Sequence, residues 1–123
     1  MTVVNEEVTL YKKDMISYKD MGIDIGRATL ASVVEAPFSS TMGAGLIRLE
    51  QGGTFEWQVL YDEILFVVSG ELIIIEQNEQ KIGHAGDIFF LKKDTTITYS
   101  TSSETEFFYS IYPANWREIH GLV

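Results

Sequence analysis

The 123-residue chain contains no cysteine, only two prolines and only two histidines. Without cysteine it forms no disulfide, which fits a cytosolic location. Its first residues lack the basic and then apolar order of a signal peptide. The longest apolar runs are the length of a strand and far too short to span a membrane. We therefore expect a cytoplasmic protein that has no membrane partner.

Basic residues are also scarce, because nine lysines and arginines stand against eighteen acidic residues and give a net charge of −9. A field of that sign repels nucleic acid and anionic membranes, so neither is an expected partner. The chain has no Gly-x-x-x-x-Gly-Lys-Ser/Thr loop for ATP phosphates and no Gly-x-Ser-x-Gly nucleophile elbow. The sequence thus lacks the usual motifs of phosphate-loop enzymes and of α/β-hydrolases.

Short apolar segments separated by turn-forming residues begin at Ile23 and continue through most of the chain. This pattern is typical of a single all-β domain, and the length allows one compact core. The sequence predicts strands near residues 28–35, 44–50, 55–60, 63–69, 71–77, 80–83, 87–91, 96–100 and 105–112. Gly43 and Gly45 are expected to form a tight turn into the second of these strands.

The two ends of the chain differ from this β region. Residues 6–20 carry apolar side chains three or four positions apart, which suits one short helix or a packed N-terminal arm. The segment after Pro113 is expected to form a helical turn in which Trp116 packs on the core. We divide the chain into an arm at 1–25, a β domain at 26–117 and a tail at 118–123.

Side chains between residues 55 and 63 alternate in character. The odd positions are mostly aromatic or apolar and should face inward, since successive side chains of a strand point to opposite faces. They are Phe55, Trp57, Val59, Tyr61 and Glu63. Glu63 faces inward if the strand is regular and outward if a bulge intervenes.

A carboxylate in an aromatic interior must be hydrogen-bonded, ion-paired or protonated. Glu63 is therefore either a core residue whose carboxyl is hydrogen-bonded or ion-paired within the fold, or a catalytic acid–base group with a raised pKa. We take Glu63 and Tyr61 as candidate catalytic residues. Trp57 would line the pocket, Tyr99 would join it from a nearby strand, and Lys92 would reach its rim.

Two segments of this chain resemble the sequence motifs of the cupins, which are small jelly-roll β-barrels made of two antiparallel sheets. The first is Glu63 followed after six residues by Gly70, and the second runs over residues 86–97. In the second motif, Ile97 stands where a metal-binding cupin has histidine. The two histidines of the chain lie elsewhere, at His84 and His120.

The histidine positions of the first motif can be aligned in two ways. In one alignment they hold Trp57 and Val59, neither of which can bind a metal. In the other they hold Glu56 and Gln58, which with Glu63 could form an oxygen-only site for a hard cation such as Mg²⁺. A transition-metal site of the usual cupin kind is not expected in either alignment.

Four segments together resemble the cupin domain of the ethanolamine-utilisation Q proteins, and the resemblance covers roughly residues 28–117. The segments are Thr-Met-Gly-Ala-Gly at 41–45, Tyr-Asp-Glu-Ile at 61–64 leading to Val-Val-Ser-Gly at 67–70, Ala-Gly-Asp at 85–87 and Tyr-Pro-Ala-Asn-Trp at 112–116. The resemblance implies a bacterial cytosolic protein of ethanolamine breakdown and its microcompartment, with a dimeric cupin fold. It also implies acetate kinase activity with Mg-ATP, and a polar pocket of Tyr61, Asp62 and Glu63.

Three functional hypotheses follow from these observations. The first is a metal-free cupin that binds a small molecule. The family resemblance adds acetate kinase activity to this hypothesis, and Mg-ATP would be needed only for that activity. The second is a non-catalytic protein that docks on a microcompartment shell or enzyme. The third is a sugar isomerase or epimerase with Glu63 as base and Tyr61 as acid. We also expect a homodimer, because the apolar run from Leu72 to Glu76 hardly alternates and both of its faces should be covered. One face should meet the core and the other a second subunit or the N-terminal arm, and cover by the arm would make a partner unnecessary.

Overall fold

The computed structural model describes residues 7–20, 27–35, 38–119 and 121, and this part of the chain is almost entirely β. In chain order its elements are a 3-10 turn at Lys13–Met15, β1 (Lys19–Asp20), β2 (Ala28–Val34), β3 (Gly43–Leu49), β4 (Thr54–Val59), β5 (Asp62–Ser69), β6 (Glu71–Glu76), β7 (Glu79–His84), β8 (Ile88–Leu91), β9 (Thr95–Ser100), β10 (Thr105–Tyr112) and α1 (Trp116–Ile119). Neither helical segment in the described ranges has the length and hydrophobicity to cross a bilayer.

The strands form two antiparallel sheets that face each other. One sheet has six strands in the order β1-β2-β3-β10-β5-β8, and the other has four in the order β4-β9-β6-β7. Among the described strands, no pairing joins the two sheets into one closed barrel. The molecule is therefore a two-sheet sandwich of the cupin type, and the all-β prediction is confirmed.

Alternating burial along the strands builds the core between the two sheets. In β5, Glu63, Leu65 and Val67 face inward, while the residues between them face outward. On the neighbouring strand, Tyr109 lies opposite Leu65 and Ile111 lies opposite Glu63. Burying each large apolar side chain contributes about 1.5–3 kcal/mol, so this alternation holds the sheets in register.

The predicted strands are confirmed, each within one residue of its expected ends, and α1 confirms the helical turn after Pro113. The prediction for Gly43 and Gly45 is wrong in detail, because both glycines lie inside β3 instead of forming a turn before it. A Cβ at position 45 would lie 2.3 Å from the Ala31 carbonyl oxygen and 2.7 Å from the Tyr109 hydroxyl oxygen. Glycine at 45 thus leaves room for the Tyr109 ring against β3.

Residues 7–20 form an extended arm and not the alternative helix. This range has a single 3-10 turn, and Lys19 in β1 lies opposite Leu30 in β2. Tyr18 donates a hydrogen bond to the carboxylate of Glu106, and the Arg48 guanidinium lies 3.8 Å from the centre of the Tyr18 ring. Burial raises the pKa of Tyr18 to about 12, and the Glu106 carboxylate adds to this shift.

Some of the sequence predictions concern residues outside the described ranges. They include residues 1–6 and 21–25 of the assigned arm, His120, and residues 122–123 of the assigned tail. The division of the chain at these positions stays a prediction.

Candidate active site

A cavity of about 30 Å³ lies between the two sheets. Its lining consists of Leu30, Ile47, Phe55, Trp57, Tyr61, Glu63, Tyr99, Tyr109, Ile111 and Trp116. Six of these ten residues are aromatic, one is a carboxylic acid, and none is lysine, arginine or histidine. The space suffices for a water molecule or a group of similar size, and a larger ligand needs side chains to move apart.

The regular alternation of β4 and β5 points the site residues inward. Phe55 and Val59 are buried and Trp57 is half-buried, as parity predicts. The indole N–H of Trp57 donates a hydrogen bond to the hydroxyl oxygen of Tyr61 at 3.2 Å. The pairing of β5 is regular around Glu63, so no bulge turns this side chain outward.

Ring-to-ring packing fixes the aromatic wall. The rings of Phe55 and Tyr99 are stacked with their centroids 4.7 Å apart. Trp57 packs edge-on against Trp116 at 5.9 Å and edge-on against Phe55 at 6.4 Å. Aromatic pairs at these distances stabilise one another beyond their burial, so these contacts favour the observed positions of the rings.

Glu63 is the one acidic residue in this wall, and its side chain is 4% exposed. Within the described part of the chain, its Oε1 atom is buried and accepts or donates no hydrogen bond. Burial raises the pKa of Glu63 to about 8, because the charged form loses its hydration. At neutral pH this group is therefore mostly a neutral acid, close to its point of ionisation.

Two phenols beside Glu63 respond to the same environment. Burial raises the pKa of Tyr61 and of Tyr99 well above the ordinary tyrosine value, and the charge of Glu63 raises both further. Both hydroxyls therefore stay protonated across the physiological range. The site combines one carboxyl that can change charge near neutral pH with phenols that cannot.

The structure brings together four of the six predicted site residues, namely Trp57, Tyr61, Glu63 and Tyr99. Asp62 and Lys92 do not line the cavity. Asp62 is exposed because it lies between two inward-facing residues, and its carboxylate accepts a hydrogen bond from the Lys93 backbone N–H at 3.0 Å. Lys92 is exposed because it follows Leu91, which faces the core. The roles of all six residues stay predictions.

Sequence reasoning missed Tyr109 as a site residue and assigned Trp116 to packing alone, although both line the cavity. The signal for Tyr109 was present, because it shares its parity with Phe107 and Ile111 in β10. The position of Trp116 gave no such signal, since α1 is too short for a periodic pattern.

The residues at the metal positions of cupins do not fit a metal. Val59 and Ile97 are buried and carry no ligand atom. The alternative oxygen-only site is wrong, because Glu56 and Gln58 are exposed on the outer face while Glu63 points inward. The described ranges contain no group of three or more histidine, aspartate or glutamate side chains able to hold a metal ion.

Comparison with known proteins identifies relatives of this chain. A family model described as "Ethanolamine utilisation protein EutQ" matches residues 7–118. The Escherichia coli (strain K12) protein named acetate kinase EutQ is 36% identical over 90 residues, which is 73% of this chain and 38% of that protein. The chain thus matches well under half the length of that relative.

Solved structures agree with this comparison. The crystal structure of an ethanolamine utilization protein Q from Salmonella typhimurium LT2 has a TM-score of 0.78 and 30% identity, with 88% of each chain covered. An RmlC-like cupin from Shewanella frigidimarina has a TM-score of 0.72 over 90% of this chain and 94% of that one. At 18% identity, the second likeness concerns the fold alone.

The raised pKa of Glu63 predicts a specific dependence of stability on pH. Between about pH 4.5 and pH 8 the unfolded chain ionises Glu63 while the folded protein keeps it protonated. The folded state then holds more protons, so Glu63 lowers the free energy of unfolding by up to about 1.4 kcal/mol for each pH unit in this window. Above pH 8 its contribution stays constant.

We expect Glu63→Gln to remove this slope, so that the variant matches the unaltered protein near pH 5 and exceeds its stability at pH 8. Urea unfolding at several pH values measures the difference, with Glu56→Gln as the exposed control. Equal slopes for the unaltered protein and Glu63→Gln would show that Glu63 is already ionised in the fold.

Proposed function

Because the chain belongs to the EutQ family of ethanolamine utilisation proteins, we propose that it binds a small molecule in the cavity between its sheets without a transition metal. The observation that carries this proposal is the buried Oε1 of Glu63, which has no hydrogen-bond partner among the described residues and borders the cavity. We also propose that the protein is cytosolic and associates with a microcompartment, as the family resemblance implies.

The energetics of Glu63 support a binding role. A buried polar atom without a hydrogen bond costs about 1–3 kcal/mol, and a ligand that supplies one recovers this cost. A residue that served only to pack the core would stabilise the fold more if it were apolar. A residue that binds a ligand, in contrast, needs its polar atom. Glu63 and Tyr61 are the groups we propose to contact the ligand, with Trp57 and Tyr99 as the wall.

The names of the relatives favour acetate kinase activity as a second candidate. Phosphoryl transfer needs cations and backbone amides around the phosphates. The cavity has no basic side chain in its lining and is far too small for a nucleotide. Mg-ATP would therefore have to bind elsewhere, and the matched region is only 38% of the Escherichia coli relative.

A sugar isomerase or epimerase needs a pocket wide enough for a hexose between its acid and its base. The cavity of about 30 Å³ is much smaller than the pockets that hold ligands of that size, which have volumes of several hundred Å³. We therefore do not propose this activity.

Intrinsic fluorescence tests the binding proposal directly, because both tryptophans of the chain border the cavity. We expect a saturable change with at least one of acetate, acetyl phosphate, ethylene glycol and ethanolamine. Glu63→Gln should weaken the affinity for ethanolamine about tenfold or more, since it replaces a group that can carry a negative charge with a neutral amide.

Glu56→Gln, an exposed carboxylate on β4, is the matched control and should bind as the unaltered protein does. No saturable change with any of these ligands at millimolar concentration would contradict the proposal. Formation of acetyl phosphate from acetate and Mg-ATP that stops on addition of EDTA would establish the kinase candidate instead.

A homodimer is the second part of the proposal, and its interface is an outer apolar face of the six-stranded sheet. This face consists of Ile64, Phe66, Val68, Ile88, Phe90 and Phe108. Its members are neighbours across strands, since Phe66 lies opposite both Ile88 and Phe108. Ile88 and Phe90, on the edge strand β8, are 68% and 63% exposed.

A second copy of the chain is the partner that suits this outer apolar face. The face carries no charge, whereas the net charge of −9 makes copies repel one another elsewhere. A two-fold axis through it would bury the same residues on both copies. The sequence predicts that one face of Leu72–Glu76 meets the core and the other a second subunit or the N-terminal arm. Leu72 and Ile74 do face the core, and Ile73 and Ile75 on the other face are half-buried. The outer apolar face of the six-stranded sheet is more exposed, so we propose it as the dimer interface.

We expect the unaltered protein to have twice the 13.9 kDa chain mass in size-exclusion chromatography with light scattering. Phe90→Glu should give monomers, because it places charges on the interface, while Ile82→Glu on the other sheet should stay dimeric. A monomeric unaltered protein, or a dimeric Phe90→Glu, would contradict the dimer. A monomeric unaltered protein would favour docking of this outer apolar face on another protein.

A further inference from the structure

We propose that the cavity between the sheets binds the ammonium group of a small organic amine, with the Glu63 carboxylate as its counter-ion and the aromatic rings around it. This inference rests on the proposed function, since it requires that the cavity be a binding site. It adds the chemical class of the ligand.

The charges of the cavity lining favour a cation. Among the described residues that line the cavity, Glu63 is the only one with a carboxyl group, and none is a lysine, arginine or histidine that could meet an anion. The net charge of −9 raises the concentration of cations near the protein and lowers that of anions. An acetate or phosphate ligand would enter against both effects.

The aromatic wall also suits a cation. Six of the ten lining residues are aromatic, and aromatic rings attract ammonium groups through their electron-rich faces. This attraction is stronger in a site from which water is excluded, and Tyr99 is fully buried while Phe55 and Trp116 are nearly so. Neutral ligands lack this electrostatic attraction to the ring faces.

Hydrogen-bond capacity points to an ammonium group in particular. An ammonium ion has three N–H donors and no acceptor. The buried Oε1 of Glu63 can accept one of these bonds, and the phenol oxygens of Tyr61 and Tyr99 lie in the same wall. A hydroxyl ligand would offer only one donor to this group of acceptors.

Binding of an ammonium group moves a proton, and the balance can be written out. Near pH 7 Glu63 is mostly protonated and the amine is mostly a cation, so the O–H bond of Glu63 breaks on binding and its proton passes to the solvent. The titratable groups that face Glu63 across the cavity are Tyr61, Tyr99 and Tyr109. The raised pKa values of Tyr61 and Tyr99 keep both hydroxyls protonated, so Glu63 is the source of the proton.

An anionic ligand has the opposite linkage. A carboxylate such as acetate binds beside Glu63 only when Glu63 is protonated, so its binding takes up protons or leaves them unchanged. The direction of proton exchange therefore separates the two ligand classes without reference to any variant.

Isothermal titration calorimetry of the full chain in phosphate and in HEPES at pH 7 measures this exchange, because the two buffers differ in ionisation enthalpy. Tris is avoided because it is itself a primary amine. The probes are methylammonium, ethanolammonium, acetate and ethylene glycol.

We expect an ammonium probe to bind at pH 7 with release of about one proton per ligand. Its affinity should rise about tenfold from pH 6 to 7 and about fivefold from pH 7 to 8, where half of Glu63 is already ionised. Glu63→Gln should abolish the proton release and weaken binding at least about tenfold, while Glu56→Gln should change neither. The measurement on the unaltered protein stands even if Glu63→Gln folds poorly.

Three kinds of result would overturn the inference. If acetate or ethylene glycol binds and the ammonium probes do not, the ligand class is wrong and the cavity remains a binding site. If the ammonium probes bind without proton release, Glu63 is not their counter-ion and the inference fails on that ground. If none of the four probes binds, the ammonium inference fails, and the proposed function fails with it once acetyl phosphate also gives no fluorescence change.

Discussion

Strand β5 carries a carboxyl side chain into a core that is otherwise aromatic and aliphatic, and the rest of the site depends on this placement. The core around Glu63 is packed from both sheets, with Tyr109 and Ile111 from the six-stranded sheet and Phe55 and Tyr99 from the four-stranded sheet. That packing holds the carboxyl where water cannot solvate its charge. The same desolvation raises its pKa to about 8 and leaves its Oε1 without a partner in the described structure.

The surrounding elements maintain this environment by ordinary packing. The stacked and edge-on rings fix the cavity wall, and glycine at position 45 allows Tyr109 to lie close to β3. On the outside of the six-stranded sheet, the arm is held by Tyr18, Arg48 and Glu106. A site built this way offers a ligand a buried, mostly aromatic wall and, among the described residues, a single group that changes charge near neutral pH.

Much of the fold could be predicted from the sequence, because strand alternation is a local property. Parity alone placed Trp57, Tyr61 and Glu63 inward, and turn residues marked the ends of the strands. The closeness of Tyr109 and Trp116 to Glu63 was not predictable, because it depends on how distant strands and α1 meet. The position of Asp62 was also predicted wrongly. The family motif placed it in the pocket, whereas the alternation of β5 turns its side chain to solvent.

Ionisation of Glu63 in the folded protein is the property on which the account depends most directly. Carbon-detected NMR of protein labelled with ¹³C at the glutamate side-chain carboxyls measures it, with Glu63→Gln used to assign the signal. The account predicts a titration midpoint near pH 8 for Glu63, and a lower midpoint when methylammonium is bound. A midpoint near the ordinary glutamate value of about 4.5 would contradict the account, since the carboxyl would then be charged and satisfied at neutral pH.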